Sequence, residues 1–290
     1  RSGCQQPQEV RSSQSSEPMS LKHGDRKRIL GELNKHIQWL EKQSNHDDDF
    51  HCDKKMLQEI LHLRTIGEVY SPERFLPHAS KHDLIAGQAF DLELGHQLLD
   101  PENRRRCLNH FKRKKYGLVV VTPPCTMFSL LQFLGQGKSL ETCLRDPTFQ
   151  AKYKDAMILL NFASIICELQ LRRNQSFLFE QPWNARSWKE GCLQRLLHDA
   201  RCQLVKTDQC MFNQRDANGN LLRKRTGFLT NNKYIARCLR KECNGAHHHG
   251  QCVGSVNGRS VAAGAARYTL PLIHAVLRAY QKSCADEENQ

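Results

Sequence analysis

The chain lacks any long apolar run, and it is short of acidic side chains. No segment approaches the roughly 20 consecutive apolar residues that a membrane-spanning helix needs, and no signal peptide opens the chain. We therefore expect no association with a membrane. Lys and Arg number 43 against 30 Asp and Glu, which gives a formal net charge of +13. Such an excess favours a polyanionic partner, and nucleic acid is the usual one.

The cysteines are numerous, but they lack the pattern of a secreted disulfide framework. Their number, 13, is odd, and they are scattered through apolar segments as well as loops. Secreted disulfide scaffolds are short and carry evenly paired cysteines. We therefore expect free thiols in a reducing compartment, the nucleus or the cytoplasm.

Composition and periodicity divide the chain into four parts. Residues 1–24 are rich in Ser, Gln, Glu and Pro, which predicts a disordered tail. Residues 25–64 carry apolar side chains at helical spacing and predict a helical extension. Residues 65–282 alternate strand and helix patterns, and residues 283–290 predict a polar tail. Alternating strand–helix units predict an α/β fold with a doubly wound, mostly parallel sheet.

The most informative segment is a strand that ends in two prolines and a cysteine. Residues 118–121 are all apolar, as in a strand that is buried on both faces. Pro123 and Pro124 cannot donate ladder hydrogen bonds, so the strand must end there, and Cys125 follows directly. Open α/β sheets place ligands and reacting groups beyond the carboxyl ends of their strands. Cys125 is therefore a candidate nucleophile, with a semi-buried structural cysteine as the alternative.

A second predicted strand, residues 176–180, brings Glu180 to the same edge of the sheet. Neighbouring strand ends converge on one cleft, so we expect the thiol and this carboxyl group to meet. Such a pair suits chemistry at carbon 5 of cytosine. A thiolate that adds to carbon 6 turns the ring into an enamine, and an acid that protonates ring nitrogen 3 eases the addition. The methyl group then comes from an electrophilic cofactor in the same crevice.

These segments resemble motifs of the cytosine-C5 DNA methyltransferases. Pro-Pro-Cys-Thr-Met-Phe-Ser, residues 123–129, is similar to that family's nucleophile loop. Phe-Leu-Phe-Glu-Gln-Pro, residues 177–182, is similar to its Glu-Asn-Val or Glu-Asn-Pro motif, and residues 264–276 resemble its last motif more loosely. Over about residues 65–282 the chain more closely resembles the methyltransferase-like segments of eukaryotic retrotransposon polyproteins.

The resemblance implies a Rossmann-like methyltransferase domain that takes its methyl group from S-adenosylmethionine. It makes Cys125 the nucleophile and Glu180 the acid, and it gives the arginine that orients the base to Arg225 or Arg223. The implied partner is nucleic acid, DNA in preference to RNA. An alternative enzyme hypothesis takes residues 122–125, Thr-Pro-Pro-Cys, as a variant of the motif of amino-methyltransferases.

The predicted cofactor loop departs from the family. Where the family has Phe-x-Gly-x-Gly-Gly, this chain has Glu68-Val-Tyr-Ser-Pro-Glu-Arg, with no glycine after Gly67. Glu68 at the end of the first strand, Asp91 after the second and Pro123 in the turn are the candidate cofactor contacts. The departure keeps an alternative function open, namely a fold that has lost catalysis and binds nucleic acid as part of a retroelement polyprotein.

A Cys/His loop, residues 238–252, lies where the family carries a larger target-recognition domain. Thiolates and imidazoles at such short spacing suit tetrahedral zinc, which can order a loop that lacks a core. A His-rich loop without a metal is the alternative. The predicted zinc ligands are Cys238, Cys243, His247 and Cys252, in the pattern Cys-x4-Cys-x3-His-His-His-x2-Cys.

Overall fold

The structure, a computed structural model, describes residues 58, 60–130, 132, 139–252, 254–256 and 259–288. All of them belong to the second of the chain's two units, residues 46–290. The predicted tail 1–24 and most of the predicted helical extension 25–64 lie outside the described residues. Within the extension, residues 60–64 are helical.

The main sheet of the described chain has six strands in the order β2-β1-β3-β4-β6-β5. Strands β1 to β4 pair in parallel, and β6 runs antiparallel to both of its neighbours, β4 and β5. The prediction of an α/β fold with a mostly parallel sheet is confirmed. The strands are β1 Thr65–Val69, β2 Ile85–Phe90, β3 Leu118–Val121, β4 Ser176–Pro182, β5 Gln203–Asp208 and β6 Arg225–Thr230, and a separate short pair is formed by β7 Ser255–Val256 and β8 Arg259–Ser260.

Helices connect the strands, and two of them begin with the same local device. Asp100 and Asp146 each cap a helix by accepting a backbone N–H, and each precedes a proline at the first helical position. None of the described helices is long and apolar enough to cross a membrane. The described helices are α1 Pro101–Arg113, α2 Leu140–Cys143, α3 Pro147–Arg172, α4 Gly191–Leu197, α5 Lys233–Leu239, α6 Val261–Gly264 and α7 Leu270–Glu287, with 3-10 turns at Leu76–His82, Leu92–Leu94, Thr126–Phe128, Arg186–Lys189 and Gln209–Phe212.

The last helix is longer than the sequence pattern indicates. It continues through Glu287, so residues 283–287 extend α7 instead of forming part of the predicted polar tail. Ser283 and Cys284 are 3% and 0% exposed, respectively, because this turn of α7 faces the core. The helix thus continues for as long as one of its faces packs against the core.

Alternate residues of the central strands face opposite layers. In β3, Val119 and Val121 belong to the core that includes α3, whereas Leu118 and Val120 belong to the core that includes α7. All four are at most 1% exposed, which explains why this strand has no polar side. Helices therefore cover both faces of the sheet, as the doubly wound arrangement requires.

The strand order reverses between β1 and β3. From β1 the chain first adds β2 on one side and then adds β3 and β4 on the other. In open α/β sheets the crevice beyond the carboxyl ends of the strands at such a reversal is the usual ligand site. Tyr70, Asp91 and Cys125 lie in the segments that leave the sheet at this edge.

The entry to β3 has no room for a side chain at Gly117. A Cβ there would overlap the carbonyl oxygen of Leu63 and the hydroxyl of Tyr280. We expect G117A to lower the free energy of unfolding by about 3 kcal/mol, since β3 is fixed by ladders on both sides. Urea denaturation measures the change. Gly191 at the start of α4 is the control, because a Cβ there meets nothing within 4 Å and G191A should be neutral or slightly stabilising; equal losses would contradict the prediction.

Candidate active site and metal centre

A cavity of about 330 Å³ opens at the carboxyl ends of the parallel strands. Its volume is within the range of small-molecule sites. Four residues that the sequence analysis selected line it, namely Asp91, Pro123, Cys125 and Glu180. The strand-end rule thus brings the predicted thiol and carboxyl group to one cavity.

A short turn presents the Cys125 thiol to this cavity. The Cys125 carbonyl oxygen accepts the N–H of Phe128 at 3.0 Å, and the Phe128 ring is completely buried. Burial raises the pKa of the Cys125 thiol, the charge of Glu180 raises it further, and the Lys224 ammonium lowers it. The thiol is therefore the major form at neutral pH, and nucleophilic attack needs the removal of its proton.

Glu180 points into the cavity from β4, which continues two residues further, to Pro182. The residue is only 8% exposed, and its Oε1 has no hydrogen-bond partner within the described chain. Lys224 Nζ lies 3.7 Å from the same oxygen. A buried carboxylate oxygen without a hydrogen bond is costly in free energy. This oxygen therefore marks a position where a ligand group could donate a hydrogen bond.

Gln181 joins the two halves of the site, although the sequence analysis did not select it. Its side chain is completely buried, and Nε2 donates to the carbonyl oxygen of Pro123 at 2.8 Å. Ser187 Oγ donates in turn to Gln181 Oε1 at 3.1 Å. The Cys125 turn is thereby fixed to the strand that carries Glu180. The available signal was a glutamine directly after Glu180, at the end of a strand that begins with a mostly apolar run.

Lys224, and not the predicted Arg225, lines the cavity. The Arg225 side chain is 48% exposed, and its Nε lies 3.8 Å from Asp208 Oδ1. Arg223, the other candidate, pairs with Asp208 Oδ2 at 3.1 Å. Lys224 thus faces the cavity, whereas the arginines on either side of it face Asp208. Its Nζ also donates to the carbonyl oxygen of Ala265 at 3.2 Å.

Glu68 has a structural position and does not line the cavity. It is completely buried, and burial raises the pKa of its carboxyl group. The Glu68 carboxylate holds the loop that follows β1 against the strand. Its oxygens accept hydrogen bonds from this loop, so they are not available to the predicted cofactor. Glu68 accepts the backbone N–H groups of Arg74 at 3.1 Å, Phe75 at 2.7 Å and Leu76 at 2.9 Å, and the hydroxyl of Ser71.

Asp91 keeps a position in the cavity wall and also shapes the turn that follows β2. Its Oδ1 accepts the N–H of Glu93 at 2.8 Å, and its carbonyl oxygen accepts the N–H of His96 at 2.9 Å. The turn fixes the carboxylate at the edge of the cavity. In that place an acidic group can accept hydrogen bonds from a ligand's hydroxyl or amino groups.

A second site lies beside the end of β5, where two thiols and two imidazoles converge. The ligand atoms of Cys210, Cys243, His247 and His249 lie within 4.8 Å of one another, so the group could hold a metal ion. Cys243 Sγ is 3.5 Å from Nε2 of both histidines. The N–H of Gly245 donates to the same sulfur at 3.3 Å. The donor set is that of a tetrahedral soft-metal site.

This cluster keeps Cys243 and His247 of the predicted ligands but not Cys238 and Cys252. Cys238 lies on α5 against the hydrophobic core, and burial raises its pKa to about 11. Cys252 packs against a small apolar cluster that includes Leu222. Both thiols are therefore directed into apolar surroundings and away from the cluster.

In the observed cluster, Cys210 and His249 are found in place of the predicted Cys238 and Cys252. Cys210 lies in the turn directly after β5, and the pairing of β5 with β6 brings it to the loop. Sequence spacing could not show this contact, because the two segments are far apart along the chain. The available signal was the position of Cys210 just beyond a strand end.

No protein-family model, curated protein or solved structure matches this chain. The resemblance to cytosine-C5 methyltransferases therefore stays a prediction.

Replacing Glu180 with Gln removes a negative charge that raises the pKa of the Cys125 thiol. We expect E180Q to lower that pKa and to speed alkylation of Cys125 by iodoacetamide several-fold at pH 8, because the thiolate is the reacting form. Mass spectrometry of the Cys125 peptide gives the rate at each pH. Cys202, whose pKa burial raises to about 11, is the internal control and should not change. An unaltered Cys125 profile would exclude this charge effect.

Proposed function

We propose that this chain is an S-adenosylmethionine-dependent methyltransferase-like protein that acts on carbon 5 of cytosine in DNA. The observation that supports it best is the cavity that Cys125 and Glu180 share at the reversal point of the sheet. Neither residue type alone would indicate this reaction, but a thiol and a carboxyl group in one small cavity supply both of its halves.

Cys125 would act as the nucleophile. Its sulfur forms a bond to carbon 6 of the base, the double bond between carbons 5 and 6 opens, and carbon 5 becomes nucleophilic. S-adenosylmethionine, when bound, supplies a methyl group on a positively charged sulfur. Water would then take up the proton of carbon 5, the electrons of that bond would re-form the double bond between carbons 5 and 6, and the Cys125 sulfur would depart as the thiolate, while ring nitrogen 3 returns its proton to Glu180.

Glu180 would act as the acid, through the oxygen that has no partner within the described chain. Its proton goes to ring nitrogen 3, so that negative charge does not build up on the base. Protonated Glu180 no longer opposes the ionisation of Cys125, whereas Lys224 still favours it. The acid form of Glu180 and the thiolate form of Cys125 therefore support each other.

The cofactor would lie against the segments that follow β1, β2 and β3. Asp91 follows β2, and in dinucleotide-binding folds an acidic residue near this place accepts hydrogen bonds from ribose hydroxyls. Tyr70 and Pro123 line the same part of the cavity. This placement puts the sugar near Asp91 and leaves Cys125 and Glu180 for the base.

A nucleic-acid substrate fits the charge of the chain and the side chains beyond Glu180. The formal net charge is +13, and phosphate contacts dominate nucleic-acid affinity. Lys206 Nζ lies 5.8 Å from the centre of the half-buried Trp183 ring, and aromatic rings next to cations stack on bases. The nucleus or the cytoplasm would keep the Cys125 thiol reduced.

The second candidate is a catalytically inactive nucleic-acid-binding segment of a retroelement polyprotein. The observation that favours it is that Glu68 accepts backbone N–H groups of this chain. The acidic residue predicted to contact a cofactor at the end of β1 is therefore not available to one. The loop after β1 also lacks the glycines that would let a backbone approach the ligand closely.

An oligonucleotide in which 5-fluorocytosine replaces cytosine separates the two candidates, because fluorine on carbon 5 cannot leave as a proton does. We expect a covalent adduct on a denaturing gel with S-adenosylmethionine and the wild-type chain. C125S should form none, and the control C202S should form as much as the wild type. In titration calorimetry both variants should bind S-adenosylhomocysteine. If the wild type releases no heat with either form of the cofactor, the enzyme is excluded and the binding segment stands.

The metal that we propose for the second site is Zn²⁺, held by Cys210, Cys243, His247 and His249. Two thiolates and two imidazoles fill a tetrahedral shell, which is typical of a structural zinc site with no open position. The loop that carries three of the ligands has almost no apolar side chains between residues 240 and 250. An ion would therefore supply the order that a core cannot.

Elemental analysis of the purified chain should find one zinc ion per chain. C210S and H249A should each weaken zinc binding at least tenfold in competition with a chromophoric chelator, because each leaves only three ligands. C238S and C252S are the matched controls and should bind zinc as the wild type does, since both thiols lie outside the cluster. Loss of zinc from these controls would instead support the ligand set predicted from the sequence.

A further inference from the structure

One short segment connects the metal centre with the active-site cavity. Lys224 lines the cavity, with its Nζ 3.7 Å from Glu180 Oε1. Its neighbour Arg223 extends the other way, and Nη2 donates to the carbonyl oxygen of Cys243 at 2.9 Å. Two adjacent residues of the chain thus contact the two sites.

The Cys210 side of the metal centre holds the backbone of Lys224 directly. The N–H of Gln209, the residue before Cys210, donates to the Lys224 carbonyl oxygen at 3.0 Å. The Gln209 side chain donates to Thr226 Oγ1 at 2.8 Å, and both of these residues are completely buried. A shift of the Cys210 turn would therefore move Lys224 with it.

The Cys243 side holds the same segment through a buried carboxylate. Asp208 is completely buried, and its Oδ2 accepts the backbone N–H of Cys243 at 2.8 Å. Arg223 Nε donates to that same oxygen at 3.1 Å. Because Arg223 also donates to the Cys243 carbonyl oxygen, hydrogen bonds fix Cys243 to the segment before β6.

The His249 side adds a third link. Gly250, which follows His249, donates its N–H to the carbonyl oxygen of Leu221 at 2.8 Å, and Leu222 forms an isolated bridge with Gly250. Segments that carry Cys210, Cys243 and His249 thus each hold residues 221–224.

We propose that the metal ion at Cys210, Cys243, His247 and His249 positions Lys224 in the cavity, so that metal occupancy controls the reactivity of Cys125. The proposal rests on the metal centre and not on methyl transfer. Without the ion, only hydrogen bonds would keep the polar loop next to the segment before β6. Such a loop opens at little cost in free energy, and Lys224 would lose its fixed place.

Lys224 matters to Cys125 because it is the cation that opposes the other influences on the thiol. Burial and Glu180 raise the pKa of Cys125, and Lys224 lowers it. The buried Tyr268 faces the same cavity. If Lys224 leaves its place, the thiolate fraction of Cys125 at a given pH must fall, and alkylation must slow.

The test is the rate at which iodoacetamide alkylates Cys125 in the full chain at pH 8, followed by mass spectrometry. K224M, and removal of the metal from the wild type by a chelator, should each slow the reaction roughly three- to tenfold, because the pKa of the Cys125 thiol rises without the ammonium group and its thiolate fraction falls. In K224M the chelator should have no further effect, because the two changes act through the same side chain. K154M is the matched control, since Lys154 is exposed on α3 and does not line the cavity.

R223A keeps all four metal ligands and removes one of the three links, the one through Cys243. We expect it to retain the metal by elemental analysis and to slow alkylation by a smaller factor than K224M does, because the backbone bonds from Gln209 and Gly250 remain; this result is informative even if the metal-free chain unfolds. Two results would overturn the proposal, namely a wild-type rate that is unchanged once the metal is gone from a folded chain, or a metal-retaining R223A that reacts like the wild type. Iodoacetamide needs neither cofactor nor nucleic acid, so a failure of the methyltransferase proposal would leave this result standing.

Discussion

The parallel pairing of β3 with both of its neighbours sets the level at which the functional side chains lie. Val121 is in register with Val69 of β1 and with Phe179 of β4. The segments that follow β1 and β3 therefore begin at the same height, and Glu180 of β4 lies at that level. Thr122 extends the ladder by one bond, from its N–H to the carbonyl oxygen of Val69, before the prolines end it. This register allows the Gln181 side chain on β4 to contact the end of the neighbouring strand β3 and to hold the Cys125 turn.

Both sites contain a buried carboxylate oxygen that the described chain does not satisfy. In the cavity it is Glu180 Oε1, and beside the metal centre it is Asp208 Oδ1. The buried carboxylate of Glu68, by contrast, accepts backbone N–H groups at both of its oxygens. Buried polar atoms that lack a hydrogen-bond partner and lie beside clusters of reactive side chains are typical of functional positions.

Local signals allow the central strand and its cysteine to be predicted, because an apolar run and two prolines determine their own conformation. The meeting of Cys125 with Glu180 follows from the strand-end rule alone. Lys224 could not be chosen over Arg225, because which residues face the cavity depends on the register of β6, and nothing local marks β6 as antiparallel. Cys210 could not be found either, since its contact with Cys243 depends on how β5 and β6 pair.

The strengths of the contacts explain why Lys224 should depend on the metal centre. The distance from its Nζ to Glu180, 3.7 Å, is longer than a charge-assisted hydrogen bond, so mutual attraction alone does not fix the side chain. Its bond to the Ala265 carbonyl oxygen, at 3.2 Å, is also long. The backbone bond from Gln209 to Lys224, at 3.0 Å, is shorter and comes from a buried segment. The backbone of Lys224 is therefore held mainly from the side of the segment that carries Cys210.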